Sequence, residues 1–224
     1  ITRTQAKVLK VVSECPGVFS LYLKPNRLFK GFKAGQHVAL ELEVDGKRKT
    51  RTFSISNAPQ ADGVIRLTIK INQNGWASKA ASQLKPGQIV GIGHASGHFT
   101  PEKSSQAVLL IAAGSGITPI MSMLLHWSQQ KDKPNTILLM SFRSKEHMIF
   151  SQELETLAQQ WPELVIKPHF SQNSGHLTAE QIPELVSDYV ERETYLCGPS
   201  GLMDTVSDWY QAQDLSQQLK KEQF

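Results

Sequence analysis

The sequence predicts two folds in series: an antiparallel six-stranded β-barrel, then a doubly wound α/β domain on a parallel sheet. Three observations carry this. Apolar and polar residues alternate through most of the first half. Continuous apolar runs alternate with helix-spaced segments through the second half. A polar stretch from Pro101 to Ser105 separates the two patterns, which places domains at 1–102 and 103–224.

In the first half, Ala6–Val12 and Phe19–Leu23 alternate in part. His37–Val44 alternates more cleanly, Asp45-Gly46 supplies a hairpin turn, and Lys49–Ser56 runs back. Val64–Ile71 alternates throughout, and Gln88–Ile92 closes a set of five or six strands. Antiparallel strands at this spacing suggest a small closed barrel, which hides strand edges.

The second half opens on Val108–Ile111, an apolar run suited to a strand buried on both faces. Ile120, Met123, Leu124 and Trp127 then give Thr118–Gln130 a helical spacing. Further strands are expected at Thr136–Phe142, Leu164–Phe170 and Thr194–Cys197. Helices are expected near Ser151–Trp161, from Thr178 as a cap, and over Gly201–Ala212.

Composition bounds the possibilities. With 224 residues the chain holds one large or two compact domains. It is 40% hydrophobic and 20% charged, as in soluble globular proteins. The formal charge of +4 fits nucleic acid, an acidic membrane, an acidic protein partner, or a plain lysine excess. The densest block, Lys47-Arg48-Lys49-Thr50-Arg51, leads from a turn into a strand, which argues against a disordered nucleic-acid arm. Cys15 and Cys197 are the only cysteines, too few for a disulfide framework, a four-thiolate zinc site or a four-thiolate iron–sulfur cluster. That usage fits a reducing, cytoplasmic setting. The first residues lack the blocks of a signal peptide, and Ala107–Ala113 is too short to span a bilayer. His94 and His98 are four apart, but Gly97 makes a metal-aiming helix improbable, so no metal site is expected.

Four stretches carry candidate chemistry. Ala113-Gly114-Ser115-Gly116-Ile117-Thr118-Pro119 leaves a strand and opens a helix, so its amides suit a phosphate; it lacks the third glycine of the Rossmann fingerprint, and taken alone it fits a tight strand–helix turn with no ligand better. In Arg51-Thr52-Phe53-Ser54, alternation puts Arg51 and Phe53 on one face and Thr52 and Ser54 on the other. The arginine suits a diphosphate and the aromatic a flat ring, while the bland alternative is an ordinary amphipathic strand. Asn74–Ser78 precedes a short helix over Lys79–Leu84, with Ser78 either a cap alone or the start of a phosphate site. Tyr195-Leu196-Cys197-Gly198-Pro199 ends the last expected strand, where open α/β sheets gather ligands. Cys197 then sits at a site mouth or is a small buried hydrophobe.

In this order the four stretches resemble the ferredoxin–NADP reductase superfamily over essentially the whole chain. Arg51–Ser54 is similar to the family's Arg-x-Tyr/Phe-Ser flavin motif, and Phe32–Gln36 to its lead-in. Gly91–Phe99 resembles the Gly-Pro-x-Gly-x-Phe segment without its proline. Gly114–Pro119 and Cys197–Pro199 match the nicotinamide-nucleotide motifs. Lys220–Phe224 is similar to the Glu-x-Phe seam before a plant-type iron–sulfur domain in a bacterial subgroup.

The resemblance implies a flavin-dependent NAD(P)H oxidoreductase that passes electrons through FAD to a ferredoxin-type or other one-electron acceptor. It places Arg51 and Thr52 at the cofactor, Phe53 against its ring and Ser54 near its N5. Lys70, Ile71, Trp76, Ala77 and Ser78 would surround the rest, with Ser78 and nearby amides on the phosphates. Gly114, Ser115, Gly116, Thr118, Gly198 and Pro199 would hold the nicotinamide nucleotide, with Cys197 near the reacting carbon and Glu222 completing the site. Arg143 and Lys145 could meet a 2′-phosphate, and Ser141–Lys145 contains no acid for a free 2′-hydroxyl. Gln172 stands where NADPH-selective relatives often carry arginine, so the balance leans to NADPH without excluding NADH. A monomer is expected, a fragment or one partner of a two-part system, with no membrane span and no nucleic acid. Two alternatives stay open: a flavin- or nucleotide-binding subunit without turnover, and a barrel-based nucleic-acid binder, which 8% aromatic residues make less apt.

Overall fold

The computed structural model describes residues 3–101 and 106–223. The expected boundary between residues 102 and 103, together with Phe224, lies outside them. The chain divides into two compact units, Ile1–Pro101 with Met121–His126, and Glu102–Ile120 with Trp127–Phe224.

The first unit contains β1 (Gln5–Cys15), β2 (Val18–Pro25), β3 (His37–Val44), β4 (Lys47–Ser54), β5 (Ile65–Lys70), helix α1 (Trp76–Ser82) and β6 (Ile89–Ile92). Six antiparallel strands lie in the order β4-β3-β6-β1-β2-β5. The two edges meet just past β4, where Ile55 bridges Leu67 and Ser56 N donates to Arg66 O at 2.8 Å. The sheet therefore curls toward closure, as the alternation predicts. Its core takes alternate residues from every strand but β4, among them Leu21, Leu23, Val38, Leu40, Ile65 and Leu67. The β3–β4 hairpin turns at Asp45 (φ +53°) and Gly46 (φ +69°), the left-handed pair that a two-residue turn requires.

The second unit contains β7 (Ala107–Ala113), a 3₁₀ turn (Gly114–Gly116), α2 (Ile117–Ser128), β8 (Asn135–Phe142), α3 (Ser151–Gln160) and β9 (Leu164–Phe170). After these come α4 (Ser171–Ser174), α5 (Ile182–Leu185), β10 (Glu193–Cys197), α6 (Ser200–Ala212) and β11 (Leu219–Glu222). All five strands are parallel, in the order β11-β10-β7-β8-β9. The chain thus winds outward through β8 and β9, then crosses back to β10 and β11, so the order reverses between β7 and β10. One face of this sheet packs Leu109, Ile111, Leu139 and Leu196 against Ile182, Met203, Val206 and Tyr210.

Three expectations need correction. The helix after Asn74 begins at Trp76, not Lys79; Gly75 is its N-cap and Ser78 lies inside its first turn. The helix expected from Thr178 is a 3₁₀ turn and the four-residue α5, although Thr178 N does donate to Gln181 Oε1 at 3.0 Å in a capping box. The parallel sheet has a fifth strand, β11, formed by a tail read only as a seam.

Candidate functional site

In the first unit the candidate residues lie on β4 and around α1. Strand β4 is exposed on both faces from Lys47 to Thr52, so the amphipathic alternative for Arg51–Ser54 does not hold. A bare strand of this kind sheds a row of cations and hydroxyls into solvent, where an anionic ligand can reach them. Phe53 is half-buried and packs partly against the barrel core. Ser54 is buried, and its Oγ has no hydrogen-bond partner among the described residues. A hydroxyl left so costs about 1–3 kcal/mol, which a ligand acceptor at that point would recover. Trp76 opens α1, and Lys49 Nζ sits 5.6 Å from its ring centroid, which ties the helix to β4. Ala77 is buried, whereas Lys70, the last residue of β5, and Ile71 after it are exposed. Ser78 Oγ accepts Asn72 N–H at 2.9 Å, so its hydroxyl braces the turn before α1 rather than capping the helix. Exposed Arg51 and Thr52 and the orphaned Ser54 hydroxyl fit a flavin nucleotide.

In the second unit the candidate residues collect at the carboxyl ends of β7 and β10, where the strand order reverses. Ligands of open α/β sheets bind at such a point, because diverging loops leave a crevice there. Gly114 has φ +55°, and Thr118 Oγ1 donates to Ser115 O at 2.9 Å, locking the turn that starts α2. A Cβ at Gly116 would lie 2.1 Å from Cys197 O, so only glycine lets the turn pass beneath the end of β10. Gly198 leaves half-buried backbone beside Ala113, and Pro199, exposed, precedes α6.

Cys197 is fully buried, not placed at an open mouth. Burial, and after it the nearby Glu222 carboxylate, pushes the thiol well above its ordinary range, so Sγ keeps its proton at neutral pH. Glu222 stands in register with Cys197 across the β10–β11 pair, which explains that influence. The strand bearing it is fastened by ion pairing of Lys220 with Glu193 and by Lys221 Nζ on Ser207 Oγ at 2.8 Å.

Beyond β8, Arg143 and Lys145 are exposed. Ser144 Oγ donates to Glu146 Oε2 at 2.6 Å and lies 2.8 Å from His147 Nδ1. An acid therefore does return to the end of β8, which a reading confined to Ser141–Lys145 missed. Gln172 N donates to Arg143 O at 3.0 Å and joins the loops after β8 and β9. Among the described residues, no three metal-ligating side chains gather, and no helix is long and apolar enough to cross a membrane.

Comparison with known proteins adds the following. Residues 6–100 match the oxidoreductase FAD-binding domain, and residues 110–208 the oxidoreductase NAD-binding domain. An NADPH oxidoreductase of Mycobacterium tuberculosis is 30% identical over 98% of this chain and 60% of its own length. The ferredoxin reductase component of 3-ketosteroid-9-alpha-monooxygenase from Rhodococcus rhodochrous is 30% identical over 78% of this chain and 50% of its own. The chain thus spans between half and three-fifths of the length of these curated relatives. In fold, it is similar to the ferredoxin-NADP+ reductase of Plasmodium falciparum, with a TM-score of 0.83, 19% identity, and coverage of 98% of this chain and 96% of that one.

Proposed function

This chain belongs to the ferredoxin–NADP reductase superfamily, and on that footing we propose that it takes hydride from a nicotinamide nucleotide and passes electrons through FAD to a ferredoxin-type iron–sulfur acceptor. The observation that carries the reading is the reversal of strand order between β7 and β10, where the Gly114–Gly116 turn passes so close to Cys197 O that only glycine fits at Gly116. The first unit supplies the complementary half of the argument: a bare strand with an arginine, and a buried hydroxyl that lacks an acceptor.

Each residue then has a task its surroundings permit. Arg51 would fork onto the FAD diphosphate, with Thr52 and the turn before Ala77 beside it. Phe53 would present its free edge to the ring system, and Ser54 would donate its hydroxyl proton to a ring acceptor. Bound there, FAD supplies the exchange between a two-electron hydride and single electrons. In the second unit, the amides of Gly114–Thr118 would meet the nucleotide diphosphate. Cys197 holds its proton on Sγ, so it works by shape and contact and not as a base or nucleophile. Glu222, beside it, would hold a carboxylate toward the same crevice. Arg143 and Lys145 favour a 2′-phosphate over the opposing Glu146, and NADPH is the proposed donor. The names of relatives that are reductase components of monooxygenases support an acceptor within a monooxygenase system.

The test is anaerobic titration of the purified chain with NADPH and with NADH. Bleaching of a yellow, flavin-loaded protein by either nucleotide supports the reading. A protein that retains flavin and does not bleach would be the binding subunit without turnover, and a colourless protein that cannot be reconstituted with FAD would sink the assignment.

A further inference from the structure

A buried line of polar side chains runs through the first unit and ends two residues past Ser54. Alternation in β5 turns Ile65, Leu67 and Ile69 into the barrel core and leaves Arg66 and Thr68 on the other face. Both are nevertheless buried, at 3% and 5% exposure, as are Ser20 and Ser56 at 0%. Ser20 stands in register with Thr68 across the β2–β5 pair. Glu14 joins from β1 at a bulge: Ser13 pairs with Phe19 and Cys15 with Val18, which leaves Glu14 the extra residue and re-aims its side chain.

The donors along this line all point one way. An ionised carboxylate only accepts, so Ser20 Oγ donates to Glu14 Oε1. The Ser20 oxygen then accepts from Thr68 Oγ1, 2.7 Å away, and the Thr68 oxygen from Ser56 Oγ, 2.8 Å away. Ser56 Oγ also reaches Arg66 O at 3.1 Å, the longer of its two acceptors. At the far end Arg66 Nε donates to Ser56 Oγ at 3.1 Å. A guanidinium and a carboxylate are thus joined through three hydroxyls, each polarised by the next. Arg66 also grips the main chain. Its Nη2 donates to Ser56 O and its backbone N to Asn57 Oδ1, both at 2.7 Å, while Ser56 N donates to Arg66 O at 2.8 Å.

We propose that Arg66 is a positioning residue for the flavin: it fixes the end of β4 so that Ser54 meets the ring, and its buried charge favours the reduced form. The proposal rests on the flavin reading of Arg51–Ser54 above. Two residues of chain span at most about 7 Å, so a guanidinium bonded to Ser56 O lies on the order of 10 Å from Ser54. Hydride uptake brings the ring two electrons and one proton, so the ring gains one negative charge as the nicotinamide gains one positive charge. An arginine keeps its proton when buried, and in a protein interior its attraction for that charge is far less damped than in water. Glu14 holds the other end of the line, half-buried and three hydroxyls away, so its opposing charge is felt more weakly. The line therefore sets a cation near the ring and its counter-charge at a distance.

The experiment is an anaerobic redox titration of the FAD-loaded protein against a dye of known potential, comparing the parent with Arg66→Lys, Arg66→Gln and Glu14→Gln. At a poise where the parent flavin is half reduced, Arg66→Gln should lower the ratio of reduced to oxidised flavin about tenfold, a shift of about 30 mV for a two-electron couple. Arg66→Lys keeps the charge and should stay within about threefold of the parent. Glu14→Gln should move the ratio the other way, upward by about twofold. An arginine of merely structural importance would make the lysine and glutamine variants shift alike. That result overturns the proposal, and so does an unchanged ratio in Arg66→Gln. Should Arg66→Gln fail to fold, Glu14→Gln decides, and the absence of an upward shift there overturns it. A parent that cannot be loaded with FAD strikes at the flavin reading itself and takes the proposal with it; that outcome is recognised in the parent alone, before any variant is compared.

Discussion

The two candidate sites are built in opposite ways. In the first unit the candidate atoms belong to side chains of β4, which is exposed on both faces as far as Thr52 and covered at Ser54. Arg51 and Thr52 are exposed. In the second unit the candidate atoms are largely backbone, in the turn that joins β7 to α2. The Gly116 Cα passes so near Cys197 O that a single methyl group would collide with it. The difference teaches where tolerance lies: a side-chain site can be emptied and still fold, whereas a backbone site cannot be altered without disturbing the sheet that presents it.

The strongest attempt to break that contrast is Gly116→Ala. The added Cβ must displace the end of β10, at a cost of about 1–3 kcal/mol or more. Nucleotide binding should vanish along with a drop in the melting temperature. A variant that melts like the parent would show that the crevice is softer than its geometry implies. Arg51→Ala is the counterpart from the other site. Its loss should weaken flavin retention by about 1.5–3 kcal/mol, the worth of a charge-assisted hydrogen bond, while the flavin-free melt moves by no more than about 0.5 kcal/mol. Dialysis followed by absorbance reads the first number, and calorimetry the second.

Ser54→Ala sharpens the comparison further. Removing a buried hydroxyl that has no partner should leave the flavin-free protein unchanged or stabilised by up to about 1 kcal/mol. The same substitution should slow nucleotide-driven flavin reduction in the loaded protein. A destabilised apo-protein would mean that the hydroxyl already has a structural acceptor. The smallest effect concerns pH. The Cys197 thiol is raised in the folded chain, so folding is favoured fully below the unfolded thiol's pKa, about 8.5, and loses stability as pH rises above it. At pH 9 the loss should stay under about 1 kcal/mol. Cys197→Ala should flatten this alkaline slope, keep its flavin, and reduce it more slowly with NADPH.

Much of this was legible in the sequence. The alternation in His37–Val44 and the turn Asp45-Gly46 specify a hairpin because a period of two and a left-handed pair have few other uses. Val108–Ile111 reads as a strand buried on both faces because its apolar run is unbroken. What stayed hidden was set by tertiary contact. Leu-Lys-Lys-Glu has no strand pattern, and β11 exists because β10 offers an open edge of backbone donors and acceptors. The exposure of β4 on both faces is invisible to periodicity, which reports which residues share a face and not whether the face is covered. Ser78 looked like a cap because serine often is one; in the fold Gly75 takes that place and Ser78 braces the turn from within. Glu146 was overlooked because the local chain reversal that carries it back to Ser144 leaves no trace in spacing.

The strand order of the parallel sheet also sets a timetable. The hairpins β1–β2 and β3–β4 join residues close in the chain, Cys15 to Val18 and Val44 to Lys47, and can form as soon as those segments exist. The central pair of the second unit joins Val108 to Glu193, and β11 then adds Glu222 beside Cys197. Closing so long a loop is slow, because its entropy must be lost before any contact repays it. During synthesis the barrel can therefore be complete while β7 still lacks its neighbour on one side. For that interval Leu109 and Ile111 are flanked by a growing, unpaired edge, the state in which a chain is most open to aggregation. The carboxyl ends of β7 and β10 meet only once residues to Cys197 have been made, and β11 is added after them.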